Sequence, residues 1–296
     1  MVALLREGSA VGKERAAAAL GGLAINADNK VAIAKEEGAL AGLVALLGKG
    51  SVVGKENAAA ALWNLAVNAN NQVAIAKEEG ALAALVALLR EGSAVGKEEA
   101  AGALQSLSFN DEVAIAEEEG ALAALVALLR NGSAVGKERA AAALRNLAAN
   151  SADNKVAIAK EEGVLAALVA LLRDGSAVGK EKAAAALQNL AGNDDNEVAI
   201  AKEEGALAAL VTLLRDGSAV GKERAAAALW SLAANKADNR VAIAKVEGAL
   251  AALVALLRDG SAVGKEKAVG ALKVLSRIPE TKNSLLQLGC PASALA

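Results

Sequence analysis

Between Ala81 and Arg90 the apolar residues Leu82, Leu85, Val86 and Leu89 fall at i, i+3, i+4 and i+7, the spacing of one face of an α-helix. The stretch is bounded by Gly80 on one side and by Glu91-Gly92-Ser93 on the other, a turn in which Ser93 suits a helix N-cap. Beyond that turn, Ala94 to Phe109 reads as a longer helix ending at Asn110, and before Gly80, Asn71 to Glu78 reads as a shorter one. Three helices are therefore predicted for residues 71–110.

The same pattern returns along the whole chain. The heptapeptide Val-Ala-Ile-Ala-Lys-Glu-Glu recurs with small changes at Val31, Val73, Val113, Val156, Val198 and Val241. Each copy is followed by a glycine: Gly38, Gly80, Gly120, Gly163, Gly205 and Gly248, with a degenerate seventh at Gly289. A period near 42 residues means stacked supersecondary units, each packing on its neighbours. Six complete repeats run from about 29 to 276. Residues 1–28 supply a shortened second helix and a third helix, and residues 279–296 supply a first helix and the start of a second.

Composition agrees and removes several kinds of chemistry. Ala occupies 79 of 296 positions, and the aromatic side chains are Trp63, Phe109 and Trp230, so the core must be built from closely packed Ala/Leu helices. With no His there is no Ser-His or Cys-His relay, no imidazole metal site and no histidine pH switch. The lone Cys290 makes neither an internal disulfide nor a Cys cluster. No cofactor or metal is expected, nor an enzyme, because the many carboxylates lie in repeated surface columns and mark no unique constellation. A net charge of −2 gives no overall attraction for nucleic acid or an anionic membrane. The longest apolar runs reach about half of the roughly 20 residues that span a bilayer, and the N-terminus lacks the features of a signal peptide, so a soluble, cytoplasmic protein is expected. Gly-Ser-Ala-Val-Gly-Lys-Glu, as at Gly92 to Glu98, looks like a phosphate loop but is one residue short between its glycines and has Glu in place of Ser or Thr. It reads as the turn into the third helix.

A short first helix, Gly-Ala-Leu opening the second and a long third helix carrying Ala-Leu-x-Asn-Leu-Ala together resemble the armadillo repeat. The resemblance covers nearly the whole chain. It departs from the family where Pro commonly follows Gly-Ala-Leu, since here Ala-Ala follows and the prolines are Pro279 and Pro291. The resemblance implies an all-α fold, a right-handed superhelical α-solenoid of stacked three-helix armadillo repeats forming one domain, with the third helices lining a concave groove.

Because the repeats are near copies, they can be compared with one another. Taking as position zero the residue before the last Leu of each third helix gives Gly22, Asn64, Ser106, Asn146, Asn189, Ser231 and Val274. Leu stands at −2 and +1 in all seven, and these columns are predicted core. Position −4 holds only Ala or Gly. Variation concentrates at −1 (Gly21, Trp63, Gln105, Arg145, Gln188, Trp230, Lys273) and at −7 (Arg15, Asn57, Glu99, Arg139, Lys182, Arg224, Lys267). Offsets −7, −4 and 0 share one helical stripe with −1 beside it, which makes this stripe the candidate recognition surface.

In armadillo proteins the position-zero Asn bonds the backbone of an extended peptide. The resemblance therefore assigns that role to Asn64, Asn146 and Asn189, with Ser106 and Ser231 as weaker substitutes, and an amide suits it because it both donates and accepts. The nuclear-import members add Trp at −4 and an acid near −7 to hold basic peptides, and this chain has neither arrangement. Its −7 column is mostly basic, so an acidic extended peptide is the predicted partner, with Arg139, Arg145, Lys182 and Arg224 as its contacts and the middle of the chain as the best patch. The invariant Glu at −8 is a counterweight able to neutralise those bases. Trp63 and Trp230 are predicted to be exposed or half exposed and are candidate anchors. Asn26, Asn68, Asn110, Asn150, Asn193 and Asn235, at +4, read most simply as C-terminal helix caps.

Two further readings stand beside the peptide scaffold. The near-identity of the repeats suits a structural or engineered consensus-like solenoid with no dedicated ligand. Ser293-Ala-Leu-Ala296 placed before Met1-Val-Ala-Leu-Leu-Arg6 reads almost as a second helix, which suggests head-to-tail self-association through the open ends.

Overall fold

Gly38, Gly80, Gly120, Gly163, Gly205, Gly248 and Gly289 all take φ between +74° and +81°, the left-handed region that a side chain disfavours. That one residue per repeat ends the first helix and aims the second, and it is why the glycines recur. The computed structural model describes residues 1–110 and 112–295, with the side chains of 112–114 and 150 outside that description. Among the described residues the regular structure is helical throughout.

A repeat is illustrated by residues 68–107. Asn68 caps the first helix, Ala69–Lys77, its Oδ1 accepting from the backbone N–H groups of Asn70 and Asn71. The second helix is Ala81–Glu91 and buries Leu82, Leu85, Val86, Leu88 and Leu89. Ser93 then caps the third, Ala94–Leu107, by accepting from Gly96 N at 3.0 Å. The expected three helices are present, with the third closing two residues earlier than Phe109, which is exposed.

The +4 asparagines are not C-terminal caps. Asn26, Asn68 and Asn193 have φ of −74°, −89° and −123°, and no non-glycine residue among those described has positive φ, so none of the three supplies a left-handed cap. Each accepts the orphan N–H groups at the start of the next first helix. Asn110 and Asn235 reach the preceding repeat instead, donating to Gln72 Oε1 and Glu197 Oε1. The side chain of Asn150 lies outside the described residues.

The chain divides into two compact units, residues 1–147 and 148–296. In the first, the third helices Ala10–Leu23, Val52–Ala66 and Ala94–Leu107 pack in sequence, each on the next. In the second, Ala177–Leu190, Ala219–Ala233 and Ala262–Leu275 do the same. Contacts between third helices run through Ala and Gly: Gly21, for instance, sits where an added Cβ would lie 3.3 Å from Ala61 Cα. The −2 and +1 leucines are buried as predicted except Leu23, which is 41% exposed.

Two polar ladders join the repeats. The capping Ser donates to the −8 Glu of the preceding repeat: Ser51 to Glu14, Ser93 to Glu56 and Ser133 to Glu98 in the first unit, each at 2.5 Å, and Ser218 to Glu181 at 2.5 Å and Ser261 to Glu223 in the second. These five glutamates thus stitch neighbouring repeats, whereas Glu266 pairs with Lys267. A buried Asn in the first helix spans two elements at once: Asn71 Nδ2 donates to Leu65 O and Lys30 O, and Asn196 and Asn239 repeat the arrangement. Toward the end of the chain, Pro279–Gln287 forms the expected first helix, but Ala292–Ala294 is a 3-10 turn in place of an α-helical start. Leu295 folds back, its carbonyl accepting from Ser276 Oγ, and Ala296 lies outside the described residues.

Candidate functional site

In the first unit the position-zero side chains stand half-buried or buried on the third-helix stripe. Asn64 Nδ2 donates to Gly21 O at 3.0 Å and Asn146 Nδ2 to Gln105 O at 2.9 Å, in both cases the −1 carbonyl of the preceding repeat. One amide hydrogen of each is therefore spent on holding repeats together. Asn146 is 5% exposed, and its Oδ1 accepts from Arg145 Nε at 3.1 Å and Nη2 at 2.6 Å. Arg145 covers the very group that a peptide backbone would address. Ser106 is buried. Asn57, at −7, donates to Glu14 O at 3.3 Å.

Trp63 does not project freely from this stripe. Its half-buried indole lies over Gly102, the −4 residue of the following repeat, so closely that a Cβ there would meet ring atoms at 3.0–3.3 Å. Above it stands Arg139, one repeat further on, with Cζ 4.1 Å from the ring centroid, close enough for a cation–π contact. Arg139 Nη1 is also 3.4 Å from Glu99 Oε1, an ion pair with both side chains mostly covered but without a well-formed hydrogen bond. The structure thus brings together Trp63, Glu99, Gly102 and Arg139.

The second unit repeats the theme. Trp230 lies over Gly270, where an added Cβ would fall only 2.6–2.8 Å from the ring, and Lys267 Nζ is 5.7 Å from the centroid while paired at 2.8 Å with Glu266. Lys182, Asn189 and Ser231 are half-buried and Arg224 is exposed.

Sequence reasoning missed the pairing of Trp at −1 with Gly at −4 of the next repeat, although the signal was there. Trp63 is followed by Gly102 and Trp230 by Gly270, while the other third helices that have a successor, with Gly21, Gln105, Arg145 or Gln188 at −1, are followed by Ala60, Ala142, Ala185 and Ala227. Reading the columns one at a time hid the correlation between them. Among the described residues, no cluster of three or more metal-binding side chains occurs and no helix is long and apolar enough to cross a membrane.

A family model for the armadillo/β-catenin-like repeat matches residues 26–67, 68–109, 113–149 and 151–192, more than half of the chain. The chain belongs to the armadillo-repeat family. A search of curated proteins finds no matching relative. Among solved structures, this armadillo protein is similar to an engineered protein at TM-score 0.90 and 28% identity, over 98% of this chain and 71% of that one. It is also similar to the designed armadillo repeat protein YIII(Dq)4CqI, at TM-score 0.71 and 30% identity, over 78% of this chain and 98% of that one. A further match is a designed armadillo repeat protein solved in complex with the peptide (KR)4, at TM-score 0.72 and 28% identity, over 80% of this chain and 99% of that one. Consensus-like armadillo repeats are therefore what this sequence encodes.

Proposed function

We propose that this armadillo protein is a non-enzymatic binding scaffold that takes an extended, acidic peptide along the stripe of its third helices. The observation that carries the reading is the Arg145–Asn146 pair. A carboxylate on the ligand draws Arg145 away from Asn146 Oδ1, and the released amide oxygen then accepts an N–H from the ligand's extended backbone. Arg139, Lys182 and Arg224 add positive charge, with Asn64, Asn189, Ser106 and Ser231 as further polar contacts and Trp63 and Trp230 as apolar floor. Support comes from the family and from the structural neighbour that holds a peptide. That neighbour's peptide is basic, and the mainly basic −7 column argues for the opposite charge here.

Fluorescence anisotropy of labelled ten-residue peptides, one Glu-rich and one Lys/Arg-rich, tests the reading at two salt concentrations. The acidic peptide should bind more tightly and weaken with salt, and Arg145→Ala should reduce its affinity about 3- to 10-fold. Tighter binding of the basic peptide, or no binding of either to folded protein, would overturn it. The second outcome would favour the alternative of a structural consensus-like solenoid, for which the observation is that Asn64, Asn146 and Arg139 already serve contacts within the fold.

A further inference from the structure

One place in the repeat, eight residues before the left-handed glycine, is occupied by Lys30, Gln72, Glu112, Lys155, Glu197 and Arg240 in the six complete repeats; it follows an Asn in all but Glu112, which follows Asp111 and whose side chain lies outside the described residues. Three of these donate to carbonyls at or just past the end of the preceding third helix. Lys30 Nζ reaches Ile25 O at 3.3 Å, Gln72 Nε2 reaches Ala66 O at 2.8 Å, and Arg240 reaches Ala233 O with Nε at 2.8 Å and Ala234 O with Nη2 at 2.7 Å. A donor belongs there, because the last carbonyls of a helix lack intrahelical partners and form the negative end of its dipole. Glu197 puts an acid in the donor's place.

Its surroundings share three bonds with those of Gln72. Asn196 Nδ2 donates to Leu190 O at 3.1 Å and Lys155 O at 2.9 Å, as Asn71 Nδ2 does to Leu65 O and Lys30 O at the same distances. Asn235 Nδ2 donates to Glu197 Oε1 at 3.1 Å, as Asn110 does to Gln72 Oε1. The bond left over is that from Gln72 Nε2 to Ala66 O, six residues back, and the residue six before Glu197 is the buried Ala191. Glu197 is 2% exposed, and its Oε2 is buried without a partner. By this correspondence Oε2 takes the place of Gln72 Nε2, where a carboxylate would be repelled by the carbonyl oxygen and a carboxylic acid would carry the missing hydrogen.

The charged groups nearby do not supply a cation to Oε2. Lys236 Nζ pairs with Asp194 Oδ2 at 3.5 Å, and the Arg240 guanidinium bonds the Ala233 and Ala234 carbonyls. Burial, reinforced by Asp194, pushes the Glu197 carboxyl above its ordinary range, against the opposing influence of Lys236, the Asn235 bond and Arg240.

We propose that Glu197 is held as the neutral acid and donates from Oε2 to the Ala191 carbonyl, so that the joint between helix Ala177–Leu190, helix Asp194–Lys202 and Asn235 of the next repeat loosens when the acid ionises. The contribution is complete below the ordinary carboxylate range, where the acid is neutral both folded and unfolded. It declines as pH rises through that range toward the raised folded-state value.

Hydrogen exchange of the full chain at pH 5 and pH 8, corrected for intrinsic rates, tests the proposal. Opening of the amides of residues 194–202 and 235–245 should rise roughly tenfold at pH 8 in the unaltered protein. It should not rise in Glu197→Gln, which restores the donor that Gln72 provides. Absence of the rise in the unaltered protein, or its persistence in the variant, overturns the proposal. A carbon-13 titration of the Glu197 carboxyl needs no variant, and an ionised signal already at pH 5 would overturn it as well.

Discussion

At the residue scale, the informative positions are the two glycines under the tryptophans. Gly in the middle of a helix costs about 1 kcal/mol relative to Ala, and five of the seven third helices avoid that cost by having Ala at −4. Gly102 and Gly270 accept it because an indole occupies the space a methyl would need. Overpacking costs of about 1–3 kcal/mol compete with that propensity gain, so the sign of a Gly→Ala change depends on the ring. Gly270→Ala should destabilise the protein in urea unfolding, since the new Cβ would lie 2.6 Å from the ring. In a Trp230→Ala background the same change should stabilise by about 1 kcal/mol, as propensity acts alone. Equal effects in the two backgrounds would show that Trp230 and Gly270 do not act as a pair.

At the element scale, the helices were legible because punctuation and periodicity agree in every repeat: Gly at the left-handed turn, Ser at the N-cap and Leu/Val at helical spacing. The roles of polar columns were less legible. Asn at +4 is compatible with capping either the helix before it or the helix after it, and what decides is its backbone φ, which no local pattern displays. The invariant Glu at −8 reads as a charge facing the −7 bases, and Glu266 does pair with Lys267, yet the partner of Glu56 is a hydroxyl about 37 residues away in sequence. The Ser93–Glu56 contact gives a prediction at this scale. Ser93→Ala removes both the cap to Gly96 N and the bond to Glu56, and should cost about 1–2 kcal/mol by chemical denaturation. Glu56→Gln keeps an acceptor oxygen and should stay within about 0.5 kcal/mol of the unaltered protein. A large loss in Glu56→Gln would mean that the charge itself, rather than acceptance of the hydroxyl, stabilises the joint.

At the scale of the whole molecule, the candidate site was legible as a stripe but not as a set of available groups. Internal comparison found the variable positions −7, −1 and 0 on the third helices, and the structure then showed Asn64, Arg139, Asn146 and Trp63 already engaged with neighbouring repeats. Such engagement is a property of stacking, which periodicity predicts in kind but not in partner. Stacking also governs how the molecule should open. Because third helices within each unit pack on their sequence neighbours, stability is close to a sum of repeat and interface terms, and a segment with fewer interfaces opens at lower free energy. Helix Val2–Glu7 buries only Leu5 and leaves Leu4 exposed, and Pro279–Gln287 buries Thr281 and Leu285 and leaves Leu286 exposed. Helices Ala81–Glu91 and Ala206–Asp216, flanked by repeats on both sides within their own units, bury six and seven residues respectively. Native-state hydrogen exchange should therefore show protection in Ala81–Glu91 and Ala206–Asp216 exceeding that in Val2–Glu7 and Pro279–Gln287 by at least about tenfold. Uniform protection across these four helices would mean that the chain opens only as one cooperative body, and that the additive description of its repeats is wrong.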